Sequence, residues 1–495
     1  MTETDHVVRG TREWKGREPN VKIPLSLVSA IAAMLLPGQA AAQIIPIKTV
    51  PIAEGDQFTF LPSTNRGMAH VSIALRDSLL DPYTNPATAA RFRTAYGFGA
   101  MTSYVISRSA GDGTTLPAGA MLRSKSGSAF AGLVLALQRL SPGRNGNGTV
   151  LTERLVGPGS QVRTAETNNY VHALMGRSVG SLSFAGSLAW SRLAGIDGAD
   201  QLYPGSKSVA QRGDMLMLRA GVLRDWSRGR SAEAVVVHGR NATTHDVTFE
   251  EFLWNPATRT AQPQSRVNHN YDQTHLWGAQ LRYMQPLADS GWRVGAQLTA
   301  NRTAHRTIPT VGLMTLARDP GQSVAFNAGL GASRRASNTT FAADAIYEPI
   351  WARGPDGAND NRYRFSNGIV RGGVRRQFDM APATAEVQLG VQVHSIGYTL
   401  DKRDLLSQSE PTRSHKRWNE WAHSIGLGYS TPQFQVRYQW RLTSGVERVG
   451  FLQQNFPIGI ANVPESAILP NQPAQLSSFP IRVTTQQLSV TVPFK

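Results

Sequence analysis

In the stretch QFQVRYQWRL, Phe434, Val436, Tyr438, Trp440 and Leu442 alternate with Gln435, Arg437, Gln439 and Arg441. Successive side chains of an extended chain point to opposite faces, so this period of two describes a strand with one apolar face and one wet face. The pattern returns in ATAEVQLGVQVH, where Val387, Leu389, Val391 and Val393 oppose Glu386, Gln388, Gln392 and His394. It returns again in the final QLSVTVPF, where Leu488, Val490, Val492 and Phe494 share a face, and in the runs headed by Trp277 and Trp292.

Connections between these runs alternate in length. Short turns fall at Val179–Gly180, near Ser227–Arg228, at Leu287–Ser290, Arg335–Ala336, Asp379–Pro382 and Thr431–Pro432. Longer polar segments lie between them, at about 141–168, 193–213, 241–273, 302–322, 349–362, 398–420 and 444–483. Hairpins with tight turns at one end and long loops at the other predict an all-β fold: a transmembrane up-and-down antiparallel β-barrel of 14–16 strands, even in number as closure requires. A secreted sandwich would use shorter strands, and a propeller would repeat a motif every 40–50 residues, which the chain does not show. Aromatics near strand ends, Tyr170, Trp190, Trp226, Tyr283, Trp292, Tyr347, Trp421, Trp440 and Phe494, fit girdles at the two membrane interfaces. Val436, Tyr438, Val391 and Leu389 are expected in the outward band, where arginine is costly. An arginine at Gln439, on the wet face, is expected to be mild.

A barrel of this kind is exported, and the N-terminus agrees. A polar stretch of mixed charge precedes the apolar run IPLSLVSAIAAMLL and the sequence PGQAAAQ, with Ala40 and Ala42 at the small positions of a cleavage site. Residues 1–42 therefore read as a signal peptide, with Gln43 as the mature N-terminus, and the bacterial outer membrane as the destination. Nothing after residue 43 is long and apolar enough for a membrane helix. The chain has no cysteine, which removes disulfides, zinc-thiolate sites and cysteine nucleophiles. Its formal charge of +17 is spread singly rather than in blocks. That suits outer-membrane lipid and lipopolysaccharide as partners, not nucleic acid, with the barrel-assembly machinery as the other expected partner.

Residues 43–91 do not alternate and are read as a plug, with the barrel at 92–495. In RGMAHVSIALRDSLL, Met68, Val71, Leu75 and Leu79 fall at the spacing of one face of a short amphipathic helix. Asp81 and Asn85 can each cap a helical turn that begins with Pro82 or Pro86. The four letters NPAT at 85–88 recur at 255–258, in the longest internal loop, and the repeat is read as coincidence.

Spaced Gly/Ala residues, an Asp-containing amphipathic stretch and the Asn85-Pro86-Ala87 box, over about Arg66–Phe92, resemble the outer-membrane long-chain fatty-acid transporter family (FadL-type). The resemblance implies a small hatch inside the barrel. The chain departs from that family in reading as sixteen strands rather than fourteen and in ending on Lys495 after Phe494.

No motif of hydrolase, nucleotide or metalloenzyme chemistry is present, and no cofactor or metal site is expected. His172, His238, His275, His394 and His423 lie on expected strands, where a His/Ser pair would make a lipid hydrolase, the least favoured reading. The acidic residues Asp344, Asp356 and Asp360 lack calcium-loop spacing and read as loop solubilisers. The expected function is a channel for passive uptake of small hydrophobic or amphipathic solutes, not an enzyme. Arg282, Arg293, Glu386, Arg437 and Arg441 are its lumen-facing candidates. The alternative is a non-transporting barrel that acts through its loops as adhesin, receptor or scaffold.

Overall fold

The computed structural model describes residues 57–107, 111–142, 165–196, 208–255, 257–287, 291–305, 322–356, 359–405, 410–450 and 475–494. The signal-peptide segment and the first part of the expected plug lie outside them. Sixteen strands follow one another in order. They are β1 (Tyr96–Ile106), β2 (Gly111–Arg123), β3 (Ala129–Pro142), β4 (Glu166–Val179), β5 (Leu182–Leu193) and β6 (Ser208–Asp225). Then come β7 (Ser231–Asn255), β8 (Thr260–Leu287), β9 (Trp292–His305), β10 (Gln322–Ala336) and β11 (Thr339–Asp356). The ring is completed by β12 (Asn359–Met380), β13 (Ala383–Asp404), β14 (Thr412–Ser430), β15 (Gln435–Gly450) and β16 (Gln475–Pro493).

Each strand pairs antiparallel with its sequence neighbours, and β1 pairs with β16 from Tyr96↔Pro493 to Ile106↔Val483, so the sheet closes on itself. Sixteen, not fourteen, is the strand number. The short turns need tight backbone geometry, which Gly180 supplies between β4 and β5 with φ 59°.

Alternation sorts the residues between two environments. Leu133, Met175, Val236, Leu298, Leu330, Val370, Leu389, Leu427 and Val490 all point outward and are exposed. An apolar surface that continues around the ring is incompatible with water and describes a lipid-facing belt. The inward positions are polar on most strands, among them Thr102, Gln138, Asn168, Ser187, Thr299, Asp344, Asn367, Gln388, Gln439 and Gln487, all buried. Trp190, Tyr283, Trp292, Tyr347, Trp421 and Phe494 are exposed aromatics, as girdle residues must be. Tyr170 is not one of them. Its place on β4 points it inward, where its hydroxyl donates to Gln138 at 2.7 Å.

Strands run further than periodicity indicates. The segment 241–273 is largely a regular hairpin, paired without a break from Ser231↔Met284 to Asn255↔Thr260. Residues 349–356, 359–362, 398–404 and 412–420 are likewise strand. Over these stretches the sequence shows no clean apolar period, while the backbone ladder continues. The second NPAT begins at the tip of the β7–β8 hairpin.

The outward assignment has a direct test. Leu389→Arg places a cation in the lipid belt and is expected to lower the refolding free energy in bilayers by about 2–4 kcal/mol. A cost within experimental error in a denaturant titration would mean that this face is not in lipid.

Candidate functional site

The chain before β1 occupies the bore. Between residues 57 and 92 only Ser78 is exposed, although the segment has almost no regular structure: a 3-10 turn at Arg66–Met68, one helical turn at Asp81–Thr84 and another 3-10 turn at Pro86–Arg91. Its partners come from strands all around the ring, an arrangement open only to a segment inside it.

The expected amphipathic helix over residues 66–80 does not form. Ala69 and His70 sit in the left-handed region, with φ 55° and 59°, which ends the first turn. In place of a helix the segment is stitched by two buried side chains. Asp77 accepts from Ser63 Oγ, from Thr64 N at 2.9 Å and, further along, from Leu79 N at 3.1 Å and Leu80 N at 3.0 Å. Asn65 Nδ2 donates to Val71 O at 3.1 Å and Arg76 O at 3.2 Å. Met68, Val71 and Leu75 still come together, packed with Ala342 of β11, whereas Leu79 belongs to a separate cluster.

Backbone groups that lack a ladder must find partners elsewhere when buried. Four inward glutamines from four strands donate their amides to plug carbonyls: Gln138 to Gln57 at 2.7 Å, Gln388 to Thr64 at 2.8 Å, Gln439 to Ser63 at 2.8 Å and Gln487 to Phe60 at 3.1 Å. Gln439 is therefore no open lumen position, and an arginine there displaces a plug contact. Asp344, expected in a soluble loop, instead projects inward from β11, with its side chain fully buried. It accepts from Ser72 N at 2.8 Å and Ile73 N at 3.3 Å while pairing with Arg371 at 3.0 Å. Inward glycines give the plug room: a Cβ on Gly390 would lie 2.4 Å from Ala69 N, and one on Gly373 2.7 Å from Met68 Cα.

On β1 to β4, beside the bonds from Gln138 and Thr102, much of the contact is apolar. Leu79, Tyr83 and Ala89 of the plug pack on Tyr96, Phe98, Met121, Phe130, Val134 and Leu174 from β1 to β4. The plug thus rests on a greasy wall and is hydrogen-bonded to a polar one.

Charges fasten it near the short-turn end. Arg282 bridges Asp81 and Glu233, each at 3.0 Å, and Arg91 pairs with Asp225 at 2.9 Å and Glu233 at 2.7 Å. Burial pushes the Asp81 carboxyl up from its ordinary range, against the pull of the Arg282 guanidinium. Asp81 caps no helix; its carboxylate accepts Asp77 N at 3.1 Å. Glu386 pairs with Arg437 at 2.8 Å in the wall below Gln388. Arg293 and Arg441 also occupy inward register, on β9 and β15.

The Asn85-Pro86-Ala87 box is a docking turn. Asn85 Oδ1 accepts Ala87 N at 3.1 Å, and Asn85 Nδ2 donates to Val222 O of β6 at 3.3 Å. Gly221 makes this approach possible, since a Cβ there would lie 2.0 Å from Asn85 Oδ1. No group of three or more potential metal ligands occurs among the described residues.

A closed, lipid-belted barrel with a plug in its bore defines a transmembrane β-barrel of the bacterial outer-membrane class. No protein-family model and no curated protein sequence matches the chain. Solved structures of similar fold include a Pseudomonas aeruginosa FadL homologue, 11% identical with TM-score 0.44, over 89% of this chain and 100% of that one. The Pseudomonas putida toluene transporter TodX is 11% identical with TM-score 0.36, over 86% of this chain and 96% of that one. CdiB from Escherichia coli is 12% identical with TM-score 0.42 over 81% of this chain, which spans 63% of the CdiB chain. At these identities the likeness is one of fold.

The two kinds of plug contact are separable. Arg282→Met leaves Asp81 buried without its cation and is expected to destabilise the seated plug by about 3–5 kcal/mol. Asn85→Ala, which removes a cap, is expected to cost about 1 kcal/mol. Hydrogen exchange over residues 57–92 reads both, and equal effects would mean that the ion bridge does not hold the plug.

Proposed function

We propose that this barrel is a channel for passive uptake of small hydrophobic or amphipathic solutes, with residues 57–92 as a plug that shifts to let them pass. The observation that carries this reading is the way the plug is held. Its contacts to the polar wall are individual hydrogen bonds and ion pairs that water or a solute can replace one by one. Its apolar face lies on the bore's own apolar wall, a surface that suits a solute tail once uncovered. In this reading the long connections face the cell exterior and the short turns the periplasm.

A second reading is favoured by one feature. The β7 and β8 strands are 25 and 28 residues long, where about 9–11 suffice to cross a bilayer. The hairpin therefore projects far beyond the membrane, as a receptor or adhesin surface would.

Because the chain lacks cysteine, a Cys pair at Ala74 and Ser333, whose side chain now donates to the Ala74 carbonyl at 2.9 Å, can tether the plug. Tethered protein in proteoliposomes is expected to lose saturable uptake of a hydrophobic solute and to regain it when the tether is cut. Removal of residues 57–92 is expected to raise single-channel conductance. Uptake unchanged by the tether would leave the projecting hairpin as the working part.

A further inference from the structure

Where the plug meets β4, β5 and β6, the wall carries a group of polar side chains that the plug does not satisfy. His172 of β4 is buried, and neither ring nitrogen has a hydrogen-bond partner. Ser187 and Ser191 of β5 are buried with unpartnered hydroxyls, and so is the hydroxyl of Tyr83 on the plug. Arg219 of β6 lies directly across from Ser187 in the strand register. Its Nε has no partner, and no carboxylate pairs with it among the described residues. These groups are neighbours. The Tyr83 and His172 rings meet edge to face at 5.1 Å, and Ser187 pairs on one side with Leu174, two residues along from His172, and on the other with Arg219.

Arg219 has no carboxylate partner among the described residues, unlike several arginines of plug and wall. Arg91, Arg282, Arg371 and Arg437 each have a carboxylate within 3.0 Å. Arg219 is half-buried with its Nε enclosed; a partly buried cation without a counter-charge is unfavourable, and so is a buried hydroxyl or imidazole nitrogen without a partner. The arrangement supplies what an oxyanion requires: a guanidinium for charge and geometry, with hydroxyl and imidazole N–H groups around it as donors. Apolar groups flank it on both sides along the bore, Leu174 toward the short turns, and Tyr170, Leu193 and Met215 toward the other end.

We propose that Arg219, His172, Ser187 and Tyr83 form a binding site for a single oxyanion at the junction of plug and wall. The ligand is a carboxylate or similar singly charged group, either free or as the head of an amphiphile whose tail lies on the flanking apolar residues. The site stands whether or not the barrel transports, because it rests on the unpaired groups and not on plug movement.

Its test is the full barrel in neutral detergent, titrated with acetate and separately with octanoate, at constant ionic strength set by a bulky anion. Thermal unfolding is the readout. The expected result is a saturable rise in midpoint, with an apparent Kd at least tenfold weaker in Arg219→Gln and partly restored in Arg219→Lys. Arg293→Gln, on β9 and away from the β4–β6 wall, is expected to leave it unchanged. Octanoate binding at least tenfold tighter than acetate identifies the amphiphile as the source, and equal affinities identify the free anion. A midpoint that responds to neither anion, or responds alike in wild type and Arg219→Gln, overturns the proposal and leaves the unpaired atoms to water.

Discussion

An irregular stretch of chain can stay inside a barrel only if its peptide groups find hydrogen-bond partners that no regular ladder supplies. Here that requirement falls on the wall. Gln138, Gln388, Gln439 and Gln487 donate to carbonyls, and Asp344 accepts the amides of Ser72 and Ile73. Glutamine suits the task because its amide reaches well beyond the sheet and carries no charge to be neutralised. Plug conformation and wall composition are therefore one specification: Asn65 and Asp77 shape the turns, and the ring presents donors where those turns leave carbonyls.

The two sides of the bore do different work. From β1 to β4 the inward residues include Phe98, Met121, Phe130, Val134 and Leu174, and burial of Leu79 and Tyr83 against them is non-directional. The hydrogen bonds and ion pairs, which come mostly from β6 to β16 with Gln138 of β3, are directional and fix register. Ion bridges such as Asp81–Arg282–Glu233 add little net stability once desolvation is counted, yet they penalise any seating that separates them. The apolar side supplies adhesion and the polar side supplies position.

Much of this architecture is legible in the sequence, because lipid outside and water inside force a period of two that runs for whole strands. Sixteen strands and their turns follow from that period. At Asp246–Asn255 the clean alternation is lost in the sequence, and the strand is identified by its backbone pairing with β8. The plug is harder to read. The spacing of Met68, Val71, Leu75 and Leu79 suits a helix, but the left-handed Ala69 and His70 and the pull of Asp344 are properties of the enclosing wall, not of the local sequence. The Asn85 cap on Ala87 is local and is legible, whereas its contact with Val222, and the need for Gly221, arise only in the fold. Asp344 could have been suspected from parity, since it shares its face of β11 with Ala342 and Glu348, both buried.

The seam between β1 and β16 joins the two ends of the barrel chain. The plug immediately precedes β1, so it is the first part of the described chain to leave a ribosome, while the strand that encloses it is the last. Until Gln475–Pro493 arrives, the donors of Gln487 do not exist and the bore is an open gutter. The first and last strands of the ring therefore share a single closing edge, and the plug leads directly into it.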